Sequence, residues 1–332
     1  MKEPKVSVII PVYNGSLYIK RVLDSLKKQR FVEMEIILVN DGSTDDSVQV
    51  IQDSIEEFIE IGIILVLINK QNEGIAVARN TGLSVANGKY ILFIDQDDWV
   101  DEDYIQTLYT VAETEDVDMV IGGFKKIDNH GRILEEWKLD CLSPYSKYRI
   151  TAPWGRIFRK AVLEQHNIMF MNTKISEDFY FNLIFMSNTP NIKVIDYVGY
   201  NWFYSEKSES HTNWSIMSTE RDPVAVLERL QCDMGKAGGL TKDELTYHFT
   251  KYIVWYLWYS MKGASRELAD RMYERVFQWM DSYYPDYKKW SVYGGKNEYR
   301  EKFSVRISVL FSIFAKKIGI LKILLKIYRV LR

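Results

Sequence analysis

Cysteine is nearly missing: Cys141 and Cys232 are the only two in 332 residues, far apart and outside any CxxC or Cys/His grouping. That scarcity argues against a disulfide framework or a thiolate zinc site and fits reduced thiols in a cytoplasmic protein. A dominant charge of one sign is lacking too. The formal net charge is −2, so the surface as a whole is no trap for nucleic acid, and no nucleic-acid partner is expected. The apolar run VSVIIPV (6–12) is too short for a secretory leader and precedes no small-residue cleavage site, so it reads as a buried strand of a protein that is not secreted.

The usual phosphate-binding devices are missing as well. No GxGxxG follows the first apolar run. Between Gly82 and Lys89 the glycines stand one residue too far apart for a P-loop, and Tyr90 replaces its Ser or Thr. Trp99 and Val100 occupy the places where an EF-hand loop needs a ligand and a glycine. A nucleotide bound here would have to be held by a metal and by side chains.

What is present is an ordinary globular balance, 47 % hydrophobic and 27 % charged. Short apolar runs rich in β-branched residues, Val6 to Val12, Glu35 to Asn40, Ile63 to Ile68, Tyr90 to Ile94 and Met119 to Gly122, predict strands. Between them, Leu17 to Gln29, Asp45 to Ile59, Ile75 to Ala86 and Asp101 to Glu115 carry helical spacing. The alternation predicts an α/β fold with a mostly parallel central sheet flanked by helices, its ligands bound at the carboxyl ends of the strands. Farther on, Asp128-Asn129-His130-Gly131 reads as a hairpin turn, Trp154 to Gln165 and Glu177 to Met186 as short helices, and Lys193 to Phe203 as strand. Helical, aromatic texture follows from Ile216. We therefore expect one α/β domain over 1–210. A C-terminal helical region over 211–332 completes the chain.

The polar residues just after each strand would meet in one crevice: Tyr13 to Gly15, Asp41 to Ser43, Asn69 to Gly74 and Asp95 to Asp98. Carboxylates at the mouth of a sheet are costly unless something positive is bound. Asp95 and Asp97, two apart in extended chain, project the same way and suit a divalent ion shared with substrate phosphates. Helix capping ahead of Asp101 is the bland alternative. Glu177 and Asp178, opening an apolar helix, are equally well explained by pairing with its dipole.

VSVIIPVYNG (6–15), VNDGSTDDS (39–47), NEGIAVARNTGLSVANGKYILFIDQDDW (72–99) and SED (176–178) occur in the order found in the inverting glycosyltransferases of family 2, which the chain resembles over its first ~180 residues. The resemblance implies the GT-A fold, a nucleotide-sugar donor, most simply a UDP-sugar, and Mn²⁺ or Mg²⁺, and makes 1–210 a catalytic domain with the donor and metal site in 1–125 and the acceptor side in 126–210. It puts Pro11, Val12, Tyr13 and Asn14 against the donor base, Asp41 at its imide edge, and Asn72 and Arg79 near base and diphosphate. Asp95-Gln96-Asp97 becomes the DxD motif, with Asp97 as the main metal ligand and Asp95 near ribose or metal. Asp178, beside Glu177, becomes the catalytic base. The arginine many relatives carry after the last strand is missing from Tyr200 to Ser208, and His211 is offered as a further metal or diphosphate ligand, solvation being its plain alternative.

From Phe303 to Arg332 there are seven basic residues and no acid, and Lys322, Lys326 and Arg329 fall on one helical face. The charge-free stretch Ile307 to Ala315 is far short of the roughly 18 residues that cross a bilayer. A basic amphipathic tail over 303–332, lying on the inner face of the cell membrane, is expected, suiting a glycan or polyprenyl-linked acceptor. Packing on the protein's own core or on a homodimer partner is the alternative. Rival functions, a non-catalytic donor-binding scaffold or a sugar-nucleotide nucleotidyltransferase, fit less well: the acidic set is intact, and Tyr13-Asn14-Gly15-Ser16 is not a glycine- and Arg/Lys-rich activating loop.

Overall fold

The computed structural model describes residues 3–205, 217–235, 237–260, 264–289, 291–294 and 302–331. They form two compact units: 1–141, 150–172 and 177–205 build the first, and 142–149, 173–176 and the chain beyond 205 build the second.

The first unit is a nine-stranded mixed sheet with helices. In chain order its first half runs β1 (Val6–Val12), α1 (Ile19–Lys27), β2 (Met34–Asp41), α2 (Ser47–Asp53), α3 (Ile55–Glu60), β3 (Ile64–Lys70), α4 (Ile75–Val85) and β4 (Tyr90–Phe93). These strands lie in the order β3-β2-β1-β4, every pairing parallel. Buried residues along all of β1 and β2 explain their near-unbroken apolar sequence, since a parallel sheet is covered on both faces. The segment expected as one helix over Asp45 to Ile59 is two, α2 and α3, divided at Ser54, whose hydroxyl donates to the carbonyl of Val50 at 3.0 Å.

The sheet then turns mixed. Next come β5 (Trp99–Val100), α5 (Tyr104–Thr114), β6 (Met119–Ile127), β7 (Ile133–Trp137), β8 (Arg156–Arg159), α6 (Lys160–Gln165), α7 (Glu177–Asn188) and β9 (Ile192–Phe203). Strand β8 is antiparallel to both β4 and β6. This corrects the helix expected from Trp154 to Gln165: its first part is extended because the fully buried Ile157 and Phe158 fill the gap between two strands, and only α6 remains helical. The hairpin between β6 and β7 turns at Gly131 (φ 75°), with Asp128 Oδ1 accepting from the amides of His130 and Arg132, both at 2.9 Å.

The second unit is helical, with longer helices at Pro223–Asp233, Lys242–Ser260, Arg266–Tyr283, Phe303–Lys317 and Leu321–Leu331. The helices beginning at Lys242 and Arg266 are capped by local chemistry. Thr241 and Glu244 exchange backbone-to-side-chain bonds at 3.1 and 3.2 Å, and Ser265 Oγ accepts from the Leu268 amide at 3.2 Å. No helix among the described residues is long and apolar enough to cross a membrane. Lys322 Nζ lies 2.8 Å from Glu274 and Lys326 Nζ 3.3 Å from Asp270, while Arg329 donates to the carbonyl of Ala264 at 2.9 Å. The cationic side expected to face a membrane therefore faces the acidic side of helix Arg266–Tyr283.

Candidate functional site

The carboxyl ends of β1, β2, β3 and β4 lie side by side, so the loops that follow them form one rim. After β1, Asn14 takes left-handed backbone (φ 48°) and the turn is fastened on both sides. The Tyr13 amide donates to Gln96 Oε1 at 2.8 Å, and Gln96 Nε2 returns a bond to the Tyr13 carbonyl at 3.0 Å. On the other side, the Asn14 amide donates to Ser43 Oγ at 3.0 Å and the Thr44 amide to Asn14 Oδ1 at 2.8 Å. Glycine is needed at position 15 for space: a Cβ there would stand 2.4 Å from Gln96 Oε1. Tyr13 is left 44 % exposed, its ring presented at the rim, whereas Pro11 and Val12 are buried in β1 and offer no side chain to a ligand.

Asp41, at the end of β2, is buried and fully engaged. Its Oδ1 accepts from Lys70 Nζ at 2.8 Å and from the Glu73 amide at 3.0 Å, and its Oδ2 from the Gly74 amide at 2.8 Å. It thereby folds the loop after β3 back onto the rim, where Gly42 (φ 75°) lies so close to Asn72 that a Cβ would come within 2.8 Å of the Asn72 amide. Asn72 itself is exposed there.

The fourth rim loop carries the acids. Arg79, on α4 and 1 % exposed, donates through Nη2 to Asp95 Oδ1 at 2.8 Å and through Nη1 to Asp178 Oδ1 at 2.6 Å, with Glu177 Oε1 at 4.0 Å. One guanidinium therefore joins a strand-end carboxylate to the first turn of α7, 99 residues away in sequence. Its position is set by Phe170, whose ring lies 5.1 Å below Arg79 Cζ and stacks on Phe181 of α7 at 3.9 Å. Asn80, next to Arg79, exchanges two bonds with the Phe170 backbone, at 2.8 and 2.9 Å. The structure thus brings together three residues named from the sequence, Arg79, Asp95 and Asp178, with the arginine facing the two carboxylates.

Three carboxylates around one guanidinium leave negative charge uncompensated. Burial, with Glu177 and Asp95 adding to it, pushes the Asp178 carboxyl up to about 8 against the pull of Arg79 and of the helix N-terminus. Burial and Asp95 push Asp97 up to about 6. Asp98 is raised far more by desolvation and serves the fold: it accepts from Tyr200 Oη at 2.5 Å and from the Phe203 amide at 2.8 Å, tying β9 to the rim.

Arg21, not singled out from the sequence, donates to the Asp97 carbonyl with its guanidinium between the rings of Trp99 (4.2 Å) and Phe203 (4.3 Å). Nothing in a helical arginine on α1 announces that contact. Lys70 lies within the Asn69 to Gly74 segment expected at the crevice, without a role assigned to it, and Tyr200 on β9 was not singled out. His211 lies outside the described residues.

Among the described residues, no group of three or more His, Cys, Asp or Glu side chains is arranged to hold an ion alone. Asp97 nonetheless fits a partial donor set: among the described residues no side-chain donor is bonded to its carboxylate, which sits in the negative field of Asp95. One or two carboxylates completed by phosphate oxygens is the arrangement typical of Mg²⁺.

Residues 7–210 match the family model described as glycosyl transferase family 2. Glycosyltransferase GlyA of Streptococcus pneumoniae is 31 % identical over 198 residues, covering 54 % of this chain and 28 % of GlyA. Glycosyltransferase EpsJ of Bacillus subtilis is 32 % identical over 207 residues, covering 58 % of this chain and 59 % of EpsJ. The matched stretches thus span less than two thirds of either relative. Among solved structures, TarS 1–349 of S. aureus in complex with UDP-GlcNAc superposes with a TM-score of 0.55 at 21 % identity, over 98 % of this chain and 87 % of that one. The shared architecture is a GT-A-like mixed α/β fold with a helical C-terminal part.

Proposed function

This chain belongs to glycosyl transferase family 2, and from that premise we propose that it is an inverting, metal-dependent enzyme that moves a sugar from a UDP-sugar to a hydroxyl of a glycan or polyprenyl-linked acceptor. The observation that carries the reading is the double contact of Arg79 with Asp95 at 2.8 Å and Asp178 at 2.6 Å, which gives donor-side and acceptor-side carboxylates a common cleft. The cytoplasmic face of a membrane is the proposed setting, where nucleotide sugars and reduced Cys141 and Cys232 are at home.

In this reading the donor lies across the rim with its base beside the Tyr13 ring. The imide edge approaches Asp41, whose oxygens it shares with Lys70 and two loop amides, and Asn72 borders the base and diphosphate. Asp97, with Asp95 near ribose or metal, would hold Mn²⁺ or Mg²⁺. When bound, the ion supplies Lewis-acid neutralisation of charge on the departing nucleoside diphosphate. Asp178, oriented by Arg79, accepts the proton of the acceptor hydroxyl as that oxygen attacks the anomeric carbon from the face opposite the leaving group. One displacement inverts the anomeric configuration. A carboxyl raised to about 8 is a stronger base than an ordinary carboxylate once it has ionised.

The test is Asp178→Asn, which keeps size and can still hydrogen-bond. Transfer should fall by about 10³-fold or more while UDP binding, read by calorimetry with Mn²⁺, stays within a few-fold. Unchanged turnover removes Asp178 from the mechanism.

A further inference from the structure

The last two helices turn an apolar face outward. In helix Phe303–Lys317, Phe303, Ile307, Phe311 and Phe314, with Ile318 at its end, are spaced by four, four, three and four residues, within an arc of about 80° on a helical wheel. All five stay exposed, Phe303 by 76 % and the others by 47 to 50 %. The opposite side of the same helix is committed: Val309, Ile313 and Ala315 are buried, and Ser312 Oγ accepts from Trp258 Nε1 at 2.9 Å. This helix is therefore apolar on both sides, with protein on only one.

The next helix, Leu321–Leu331, is three-sided. Leu321 and Leu325 are buried, Lys322 and Lys326 pair with Asp270 and Glu274, and Ile323 and Ile327 stand 56 % and 50 % exposed. The cations that sequence spacing assigned to a membrane thus sit beside the protein's own acids, and an isoleucine edge faces out instead. A run of exposed Phe and Ile on successive helices exceeds the scatter of single apolar side chains normal for a surface.

Two features choose the occupant. Arg306 and Lys317 border one edge of the Phe303–Ile318 arc, neither has a carboxylate partner among the described residues, and no acid occurs between Phe303 and Arg332. A second copy docked antiparallel through this face by a two-fold axis would set those cations on the same edge as their own equivalents. An anionic headgroup layer complements them while its acyl boundary takes the Phe and Ile side chains. No described helix is long and apolar enough to cross a bilayer, so the contact lies in the plane of the surface.

We propose that Phe303, Ile307, Phe311, Phe314 and Ile318, edged by Arg306 and Lys317 and continued by Ile323 and Ile327, form a face that inserts into an anionic lipid surface. This deepens the transferase reading, on which its purpose of meeting a lipid-linked acceptor rests, yet binding to lipid is measured without any sugar transfer.

The full chain is sedimented with phosphatidylcholine vesicles with and without phosphatidylglycerol, as wild type, as Phe311→Ser/Phe314→Ser and as Arg306→Gln/Lys317→Gln. Wild type should pellet with the anionic vesicles. The Phe pair should lower partitioning about tenfold or more, and each cation removed should lower it about fivefold. Circular dichroism and thermal melting should be unchanged, because the altered side chains are exposed or partly exposed. Wild type that stays in the supernatant overturns the proposal, as does a Phe variant that pellets equally well. A wild-type dimer in sedimentation velocity that the Phe variant dissociates also overturns it, in favour of a second copy. UDP binding without vesicles, retained by both variants, separates failure of this surface from failure of the transferase assignment.

Discussion

Replacing Arg79 by Met removes a buried charge while keeping most of its volume. Two charge-assisted hydrogen bonds are lost, to Asp95 at 2.8 Å and to Asp178 at 2.6 Å, together with the attraction of Glu177 at 4.0 Å. Breaking a fully buried ion pair costs about 3–5 kcal/mol. Here the carboxylates keep 27 %, 28 % and 17 % of their side-chain surface in water, so hydration and protonation recover part of that, and we expect a loss of about 2–3 kcal/mol. The sign of the pH dependence follows from the same cluster. Asp178 titrates near 8 rather than at the ordinary 3.8, so its contribution to stability is full at acid pH and is lost as pH rises through about 8. Without Arg79 its folded-state value climbs further, and the deficit of the variant grows above pH 8. Catalysis should move with it. A rising limb of kcat/KM governed by Asp178 is expected near pH 8 in the wild type; in the variant it should shift to higher pH, and the plateau should fall about 10²-fold because the base is no longer held in place. Urea midpoints at pH 6, 7.5 and 9 with a pH–rate profile measure both effects. A variant with the wild-type midpoint and an unmoved limb refutes the role given to Arg79.

Asp97→Ala should abolish both transfer and its response to added Mn²⁺, seen as a flat initial-rate titration over the metal range that saturates the wild type; an ordinary Mn²⁺ activation curve contradicts the metal assignment. Gly15→Ala puts a methyl 2.4 Å from Gln96 Oε1, so the paired bonds between Gln96 and Tyr13 must open. UDP affinity should weaken by about tenfold with little change in melting temperature, as read by calorimetry and thermal shift.

The donor half of the fold was legible in sequence because it rests on short-range patterns. Strand β1 ends where its apolar run ends, and β2, β3 and β4 differ from expectation by one or two residues at their ends. Strand β8 was not legible. Gly155 (φ 73°) and the strand-favouring Ile157 and Phe158 are weak signals against a helix, and it is the open slot between β4 and β6 that extends the segment. The rim residues could be named from their place after strands, but their partners lie too far away in sequence to read: Asp41 binds residues 29 to 33 positions on, and Arg79 reaches Asp178 across 99. In the tail, spacing correctly gathered Lys322, Lys326 and Arg329 on one side of a helix. Spacing does not say what a side faces, and Asp270 and Glu274 decided that.

The charge balance of the rim bears on why a cation belongs to the proposed reaction. Asp95, Asp97, Asp98, Glu177 and Asp178 gather there against Arg79 and Arg21, and Arg21 reaches Asp97 only through its backbone carbonyl. Burial pushes the Asp98 carboxyl well above the usual carboxylate range, and Arg79 is taken up by carboxylates, so among the described residues the acid end of this rim carries more carboxylates than cations. An anionic donor approaching this mouth alone meets like charge. Lysine- and arginine-based phosphate sites solve that problem with side chains; in the proposed reaction a divalent ion, which Asp97 would hold, would supply the missing positive charge to the donor. On that proposal the acids that make the free cleft repel its substrate would be the same acids that make donor binding conditional on the metal.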